Sequence, residues 1–412
     1  MLESMDSALG ARIRALREQA GMQSQELAAQ IGIDPSAMSN IERGKRSVKT
    51  QELIQIAEAL HVSPMALLDE HSLPARLPVA ARIDGGQATR GEAYQRLLAL
   101  SELHEVLSRA GLATPNCLDA VPAVNHSYWK ADADALAEWA TKHLRVEQAG
   151  DERLCQLADA IESQLGVDVL VEEYIGDDLS GAAITEQGFP LIFVNAQHPT
   201  PRSLFTLAHE LGHLLMRHDG SITLDVDFVG ADQTERQANA FAAAFLMPEA
   251  RVAQYIEDYG RGAESLLRMT HDFGVSFESL VYRLHNLRKI DAEGRDRLRS
   301  IGWSGLLSSM ESDPGLRNRL GRDLSVRLIS RQAQRPARRP PIWLTARCLA
   351  GYRQGVVSIR PLAGLLNVEP DKLLEHVAGP DEDSAAALNE SDYFPHDDLS
   401  TDDELFAGSP VS

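Results

Sequence analysis

Apolar residues recur every three or four positions along most of this chain, which is the spacing of helices that bury one face. Such runs cover the first seventy residues, residues 93–109, 135–143 and 154–165, and most of the chain after residue 200. Between the helical runs, three short segments alternate or run apolar and are separated by Gly, Asp and Ser, as strands are. They are residues 167–174, 181–184 and 191–195. The sequence therefore predicts a mainly α fold with a small sheet, of the α+β class.

The N-terminal module is predicted to be all-helical and to contain a helix-turn-helix. Gln25–Ile31 is one short helix with Ser24 as its predicted N-cap, Gly32 marks a turn, and Asp34 caps the next helix. This order resembles XRE/Cro-type DNA-binding domains across residues 8–70.

The resemblance implies that the second helix of the motif lies in the major groove and reads base edges, while flanking groups hold phosphates. Asn40 is the most informative base contact, because an amide can pair bidentately with adenine. The predicted DNA-contacting residues are Gln25, Ser36, Ala37, Asn40, Arg43, Lys45, Arg46 and Lys49. Acidic residues slightly outnumber basic ones in the first seventy residues. Binding to double-stranded DNA is therefore expected to be moderate or to need a homodimer.

The strongest chemical signal is H-E-x-x-H within the apolar run of residues 203–216. Positions i and i+4 of a helix share a face, so His209 and His213 can bind one metal ion, with Glu210 as general base toward its water. Burying these three side chains among leucines is costly unless a metal or hydrogen bonds compensate. Zinc suits the donor set best, and the corresponding chemistry is peptide hydrolysis.

A third metal ligand is expected downstream of the histidines. Glu235 is the predicted one, because it lies in the first turn of the next apolar helix, which begins at Thr234 and is stopped by Pro248. The alternatives are His218, Asp219, Asp225, Asp227 and Asp232. The first two of these follow His213 so closely that they suit a supporting role better.

A resemblance to the ImmA/IrrE family of metallopeptidases is carried by a set of dispersed motifs. They are Pro190–Asn195, Arg202, the H-E-x-x-H segment, Glu235-x-x-Ala238-Asn239-x-Phe241-Ala242 and Leu246-Met247-Pro248. The resemblance covers residues 150–290 and implies a gluzincin-like site in which His209, His213 and Glu235 hold one zinc per chain and Glu210 is catalytic. It also implies that the protein substrate is a helix-turn-helix repressor.

Composition limits the remaining possibilities. The chain has 412 residues, of which 44% are hydrophobic and 24% charged, enough for two to three domains. No apolar run approaches the roughly 18 residues of a membrane span, and the N-terminus lacks a signal-peptide layout, so a cytoplasmic location without a membrane partner is expected. Cys117, Cys155 and Cys348 have no C-x-x-C spacing, which indicates reduced thiols.

The charge distribution completes the predicted organisation. The net charge is -20, and acidic residues crowd the C-terminal tail, which predicts disorder there. Residues 331–341 are rich in Arg and Pro and are predicted to be extended and exposed. The predicted regions are 8–70, the helix-turn-helix domain; 71–149, a linker and helical segment; 150–290, the zinc metallopeptidase domain; 291–378, a helical C-terminal region; and 379–412, an acidic disordered tail.

Two functions from different classes fit this organisation. The first is a cytoplasmic zinc endopeptidase that cleaves a regulatory protein and is brought to a promoter by its helix-turn-helix. The second is a transcriptional regulator whose metallopeptidase-like domain senses a metal or ligand without turnover. The intact H-E-x-x-H together with Glu235 favours the first.

Overall fold

A computed structural model describes residues 2–19, 22–60, 67–68, 92–112, 118–124, 128–146, 150–174, 179–184, 189–217, 222–225, 233–331 and 333–377. The predicted disordered tail, residues 379–412, lies outside them. Helices dominate the described residues and the strands form a small sheet, so the predicted fold class is confirmed. None of the described helices is long and apolar enough to cross a lipid bilayer.

The N-terminal helices pack around a core of their own. They are α1 Leu2–Gln19, α2 Ser24–Gln30, α3 Pro35–Glu42 and α4 Thr50–Leu60. Ile13, Leu27 and Ile41 are fully buried in this core. Arg17 near the end of α1 donates to Glu42 at the end of α3 over 2.6 Å, and each side chain is 9% exposed. This ion pair fixes α1 against α3.

The predicted N-cap of α2 is wrong by one residue. Ser24 is the first helical residue, and the cap is Gln23. The backbone N–H of Gln23 donates to Glu26 Oε2 at 2.7 Å. The acidic residue three positions after the cap therefore sets the start of this helix.

The remaining helices of this part of the chain follow in order. They are α5 Glu92–Arg109, α6 Trp129–Leu144, α7 Arg153–Leu165, α8 Thr200–Leu215, α9 Gln233–Leu246, α10 Glu249–Tyr259, α11 Ala263–Asp272, α12 Phe277–Asn286, α13 Ala292–Ser312, α14 Pro314–Leu320, α15 Arg322–Ser330, α16 Ile342–Arg353 and α17 Ile359–Leu366. Helix α8 packs on the sheet, α9 packs on α8, and α6 packs on α9.

The described strands form one four-stranded sheet in the order β1-β3-β2-β4. They are β1 Asp168–Glu172, β2 Gly181–Ile184, β3 Leu191–Asn195 and β4 Ile222–Asp225. Strands β1 and β3 are parallel, and β2 is antiparallel to both β3 and β4. The first three strands are buried along almost their whole length, as expected for a sheet covered on both faces. Strand β4 was not predicted, although Ile222-Thr223-Leu224-Asp225 alternates apolar and polar residues as a strand does.

The segment before α16 covers the outer edge of β1. The backbone of Arg339 exchanges two hydrogen bonds of 2.9 Å with Val171. Two residues earlier, the N–H of Val169 donates to Glu162 Oε1 at 3.1 Å. The donors on this edge of β1 are therefore satisfied within the chain, and the edge is not open to another strand. The prediction that residues 331–341 are exposed is wrong for Arg331, which is 3% exposed.

Helix α16 is capped by a residue from β1. Asp168 accepts hydrogen bonds from the N–H groups of Trp343 at 2.7 Å and Leu344 at 3.1 Å. Glu162 of α7 accepts a third, from Ile342, at 3.0 Å. Both side chains are buried, so the N–H groups in the first turn of α16 find their acceptors 175 or more positions away in the chain.

Glu172 at the end of β1 joins three further elements. Its carboxylate accepts from Arg96 of α5 at 3.0 Å and from Arg338 at 2.6 Å. Arg338 also donates to the carbonyl of Leu365 in α17 at 3.0 Å. These contacts come from residues outside the predicted 150–290 domain, and the predicted domain boundaries stay a prediction.

Among the described residues, Asn367–Val377 belong to a second unit of the chain. Its described part contains α18, Pro370–Val377.

Candidate metal centre

Helix α8 carries the H-E-x-x-H residues in the interior of the protein. His209, Glu210 and His213 are all 0% exposed. Leucines on the same helix, including Leu207 and Leu211, belong to the main hydrophobic core. The apolar positions thus bury α8 against the sheet, and the helical period places the two histidines together on the side facing α9.

A glycine lets α9 approach the histidines closely. A Cβ atom on Gly212 would lie 2.9 Å from Phe241 Cδ1 and 3.3 Å from Ala238 Cα. A side chain at this position would therefore separate the two helices. The close approach brings the first turns of α9, which contain Glu235, over the histidine pair.

The two histidines and Glu235 converge on one point. Within the described residues, they form a group whose ligand atoms lie within 4.8 Å of one another. His209 Nε2 and His213 Nε2 are 3.0 Å apart, and each lies 3.2 Å from one oxygen of Glu235. Two ligands on a tetrahedral zinc lie about 3.3 Å apart, given bond lengths of about 2.0–2.1 Å. The donor set and its spacing therefore fit that ion.

The structure does not decide between Glu235 and the other candidates for the third ligand by comparison of their positions. Asp225 ends β4. His218, Asp219, Asp227 and Asp232 lie outside the described residues.

Burial and mutual contacts tune the protonation of these side chains. Burial lowers the pKa of His213, which favours the neutral imidazole that binds metals. Burial alone would raise the pKa of Glu235, but its hydrogen bonds with His209 and His213 and their charges outweigh burial and hold that pKa below its usual range. The site therefore presents a carboxylate to two imidazoles.

Asn239 contacts the ring nitrogen of His209 that does not face the other two ligands. Its Oδ1 lies 3.2 Å from His209 Nδ1, the ring nitrogen on the side away from His213 and Glu235. Asn239 belongs to one of the motifs that carry the family resemblance, and no role was predicted for it. The available signal was its position four residues after Glu235, which places both on one face of α9.

Glu210 lies beside a strand residue without a side chain. A Cβ atom on Gly181, the first residue of β2, would lie 3.1 Å from Glu210 Oε1 and 2.3 Å from Thr206 Cγ2. Gly181 thus leaves room for the carboxylate next to the metal ligands. The sequence analysis missed this role, although glycine inside a strand often marks a close approach.

The predicted base-reading residues lie along α3, and Gln25, which is predicted to contact phosphate, lies at the start of α2. Gln25 and Ser36 are exposed, and Ala37 and Asn40 are half-buried. Ser36, Ala37 and Asn40 share the short helix that follows the turn, as a recognition helix requires.

The predicted phosphate-binding residues follow α3. Arg43, Lys45 and Lys49 are exposed. Arg46 lies 2.6 Å from Glu52 Oε1, so its charge is partly neutralised within the domain. The exposed cations are therefore fewer than the sequence count suggests.

Two protein families match separate parts of the chain. Residues 162–285 match the family described as the IrrE N-terminal-like domain, and residues 13–67 match the helix-turn-helix family. The chain carries a helix-turn-helix domain and an IrrE-like domain. The resemblance inferred from the motifs is thereby confirmed, and the metal centre lies inside the IrrE-like domain.

Curated relatives agree over part of this domain. The chain is 32% identical over 99 residues to the radiation response metalloprotease IrrE of Deinococcus radiodurans, which is 23% of this chain and 30% of that protein. It is 31% identical over 99 residues to the same-named protein of Deinococcus deserti, which is 23% of this chain and 35% of that protein. The chain thus matches about a third of the length of these relatives.

Solved structures give a weaker comparison. Bacillus thuringiensis PlcR, in complex with the peptide PapR7 and DNA, aligns over 90% of this chain and 95% of that chain with 12% identity and a TM-score of 0.15. A score this low carries no argument about the fold.

Proposed function

We propose that this protein is a DNA-binding transcriptional regulator whose IrrE-like domain is a zinc endopeptidase that cleaves a regulatory protein of the helix-turn-helix repressor type. His209, His213 and Glu235 hold one zinc ion per chain, and Glu210 is the general base. The convergence of two imidazole nitrogens and a carboxylate within 3.2 Å, beside a buried second carboxylate, carries this proposal.

The residues of the site divide the chemistry between them. A bound zinc ion would supply Lewis acidity and would lower the pKa of water to about 7. Glu210 follows His209 directly in α8 and lies next to the ligand group, where its carboxylate can take a proton from the attacking water and deliver it to the leaving amine. Gly181 keeps the space beside that carboxylate clear.

The sheet supports binding of an extended peptide. The β1 edge is covered by Arg339 and Glu162, whereas β4 lies at the other end of the strand order and pairs with β2, which begins at Gly181 beside Glu210. A substrate that adds to the β4 edge gains backbone hydrogen bonds near the catalytic residues.

The helix-turn-helix domain supports the regulatory part of the proposal. It would bring the peptidase to promoters through contacts of Asn40 with bases and of the exposed cations with phosphates. In a bacterial cell, such as those of the Deinococcus relatives, this activity belongs in the cytoplasm.

Metal analysis combined with cleavage assays tests the proposal. Purified protein should contain about one zinc per chain, and incubation with repressors encoded nearby should yield fragments on a gel. His213→Ala should remove most of the metal. Glu210→Gln should keep the metal and abolish cleavage, because the general base is not a ligand. Metal loss in the Glu210 variant as large as in the His213 variant would reject this assignment.

Measuring DNA binding of the same variants separates the second function from the first. The presence of a DNA-binding domain in the same chain also suits a regulator that senses metal without turnover. That function requires zinc-dependent DNA binding that Glu210→Gln leaves unchanged, with no cleavage by the wild type.

A further inference from the structure

Helix α9 presents two side chains to the histidine pair from one face. Glu235 contacts the Nε2 atoms of both histidines, and Asn239, one turn later, places Oδ1 3.2 Å from Nδ1 of His209. The His209 ring is therefore held from both of its nitrogens by the same helix. Its side chain is 0% exposed, so both contacts are shielded from bulk water in the wild type.

The protonation of the His209 ring decides which nitrogen can bind a metal. An imidazole that binds through Nε2 is neutral and carries its proton on Nδ1. That proton needs an acceptor, because an unsatisfied buried N–H costs about 1–3 kcal/mol. Asn239 Oδ1 is placed to accept it. We infer that Asn239 is a positioning residue, which holds His209 in the tautomer and orientation that direct Nε2 toward the metal.

The amide has an advantage over a carboxylate at this position. The site already contains Glu235 as a ligand and Glu210 beside it, so the charge of one zinc ion is balanced without a third acid. An amide oxygen accepts the Nδ1 proton without adding charge. If the amide were reversed, its NH2 group would face Nδ1 and the ring proton would have to sit on Nε2, where it excludes the metal.

This inference rests on the proposed zinc site, and full-length protein tests it by zinc affinity. Chelator competition gives the zinc dissociation constant of the wild type, Asn239→Leu and Asn239→Asp. The leucine has the same branched shape and number of side-chain heavy atoms as asparagine and accepts no hydrogen bond, so zinc binding should weaken about 10–100-fold. The aspartate keeps an acceptor and should recover most of that loss.

A control on the same helix separates positioning from general damage to α9. Gln237 donates through Nε2 to the carbonyl of Trp129 at 3.4 Å, and its position two residues from both Glu235 and Asn239 places it on another face of α9. Gln237→Met should leave the zinc dissociation constant unchanged. Melting of the metal-free proteins should show whether the Asn239 variants remain folded.

Ring NMR provides a readout that a purely structural role would not change. In the zinc-loaded wild type, the Nδ1 proton of His209 should be visible and slow to exchange, and in Asn239→Leu it should exchange rapidly. Equal zinc affinity of Asn239→Leu and wild type, or an Nδ1 proton equally protected in both, overturns the inference. If the wild type itself binds no zinc, the proposed function fails first, which is a distinguishable result.

Discussion

The contact between α8 and α9 at Gly212 makes a quantitative prediction about metal binding. In Gly212→Ala, the added methyl group lies 2.9 Å from Phe241 Cδ1 and 3.3 Å from Ala238 Cα. The ring cannot swing aside, since Phe241 is fully buried and stacks on Phe245 at 5.8 Å. The two helices must therefore move apart.

The expected effects on stability and on metal binding differ in size. Relief of the contact with the ring needs a displacement of about 0.5 Å. Overpacking costs about 1–3 kcal/mol, and alanine returns about 1 kcal/mol of helix propensity, so the net loss of unfolding free energy is roughly 0–2 kcal/mol. Metal sites tolerate about 0.2 Å in their ligand distances. Because Glu235 and Asn239 move with α9, zinc affinity should fall by about tenfold or more, which corresponds to about 1.4 kcal/mol.

The assay compares zinc dissociation constants and urea melts of the metal-free protein with those of a matched glycine variant. In Gly305→Ala, the new methyl group meets Ile301 Cγ2 at 2.9 Å, but that side chain is 45% exposed and can rotate away. This control gains helix propensity without separating two helices, so it should bind zinc like the wild type. Unchanged zinc affinity in Gly212→Ala would refute the claim that helix separation limits the site.

Three further predictions concern other parts of the chain. Asn40→Ala should cost about 1–3 kcal/mol on a specific DNA site and leave nonspecific binding unchanged, whereas Lys45→Ala should weaken both, as measured by fluorescence anisotropy at two salt concentrations. Burial raises the pKa of Asp168 to about 8, so the folded state binds the proton more tightly than the unfolded state. The contribution of Asp168 to the unfolding free energy should therefore fall as pH rises from about 4 to about 8, and the unfolding free energy of the wild type relative to Asp168→Asn in urea melts should fall over the same range. A 150–290 fragment should melt at a lower temperature than a 92–366 fragment by circular dichroism, because it lacks the segment that covers β1.

The local sequence pattern predicts the part of the metal centre whose residues lie on a single helix. His209, Glu210 and His213 are fixed relative to one another by the helical period, so their spacing alone predicts a shared site. Glu235 required an additional step, since it lies on another helix and was chosen for its residue type and position. Its position within 3.2 Å of both histidines depends on how the two helices pack, which the sequence pattern does not predict.

The residues that the sequence analysis missed act between elements that are distant along the chain. Gly181 and Gly212 matter for the side chains they lack, and the neighbours they admit are Glu210 on α8 and Phe241 on α9. The sequence around either glycine does not indicate which side chains will pack against it. The role of Asn239 was easier to predict from the sequence, because its spacing from Glu235 places both residues on one helix face, just as the spacing of the two histidines does.

The arginine-rich segment 331–341 illustrates a different limit of sequence reasoning. Its composition predicts an exposed, extended stretch, and the backbone is indeed extended where Arg339 pairs with Val171. However, Arg338 and Arg339 form ion pairs with Glu172 and Glu162, partners more than 160 positions away. In a chain of net charge -20, a basic stretch has many internal carboxylates to meet, and an intramolecular partner has a higher effective concentration than a phosphate on a separate molecule. Overall charge therefore favours internal pairing of these arginines, whereas local charge alone suggests a nucleic-acid contact.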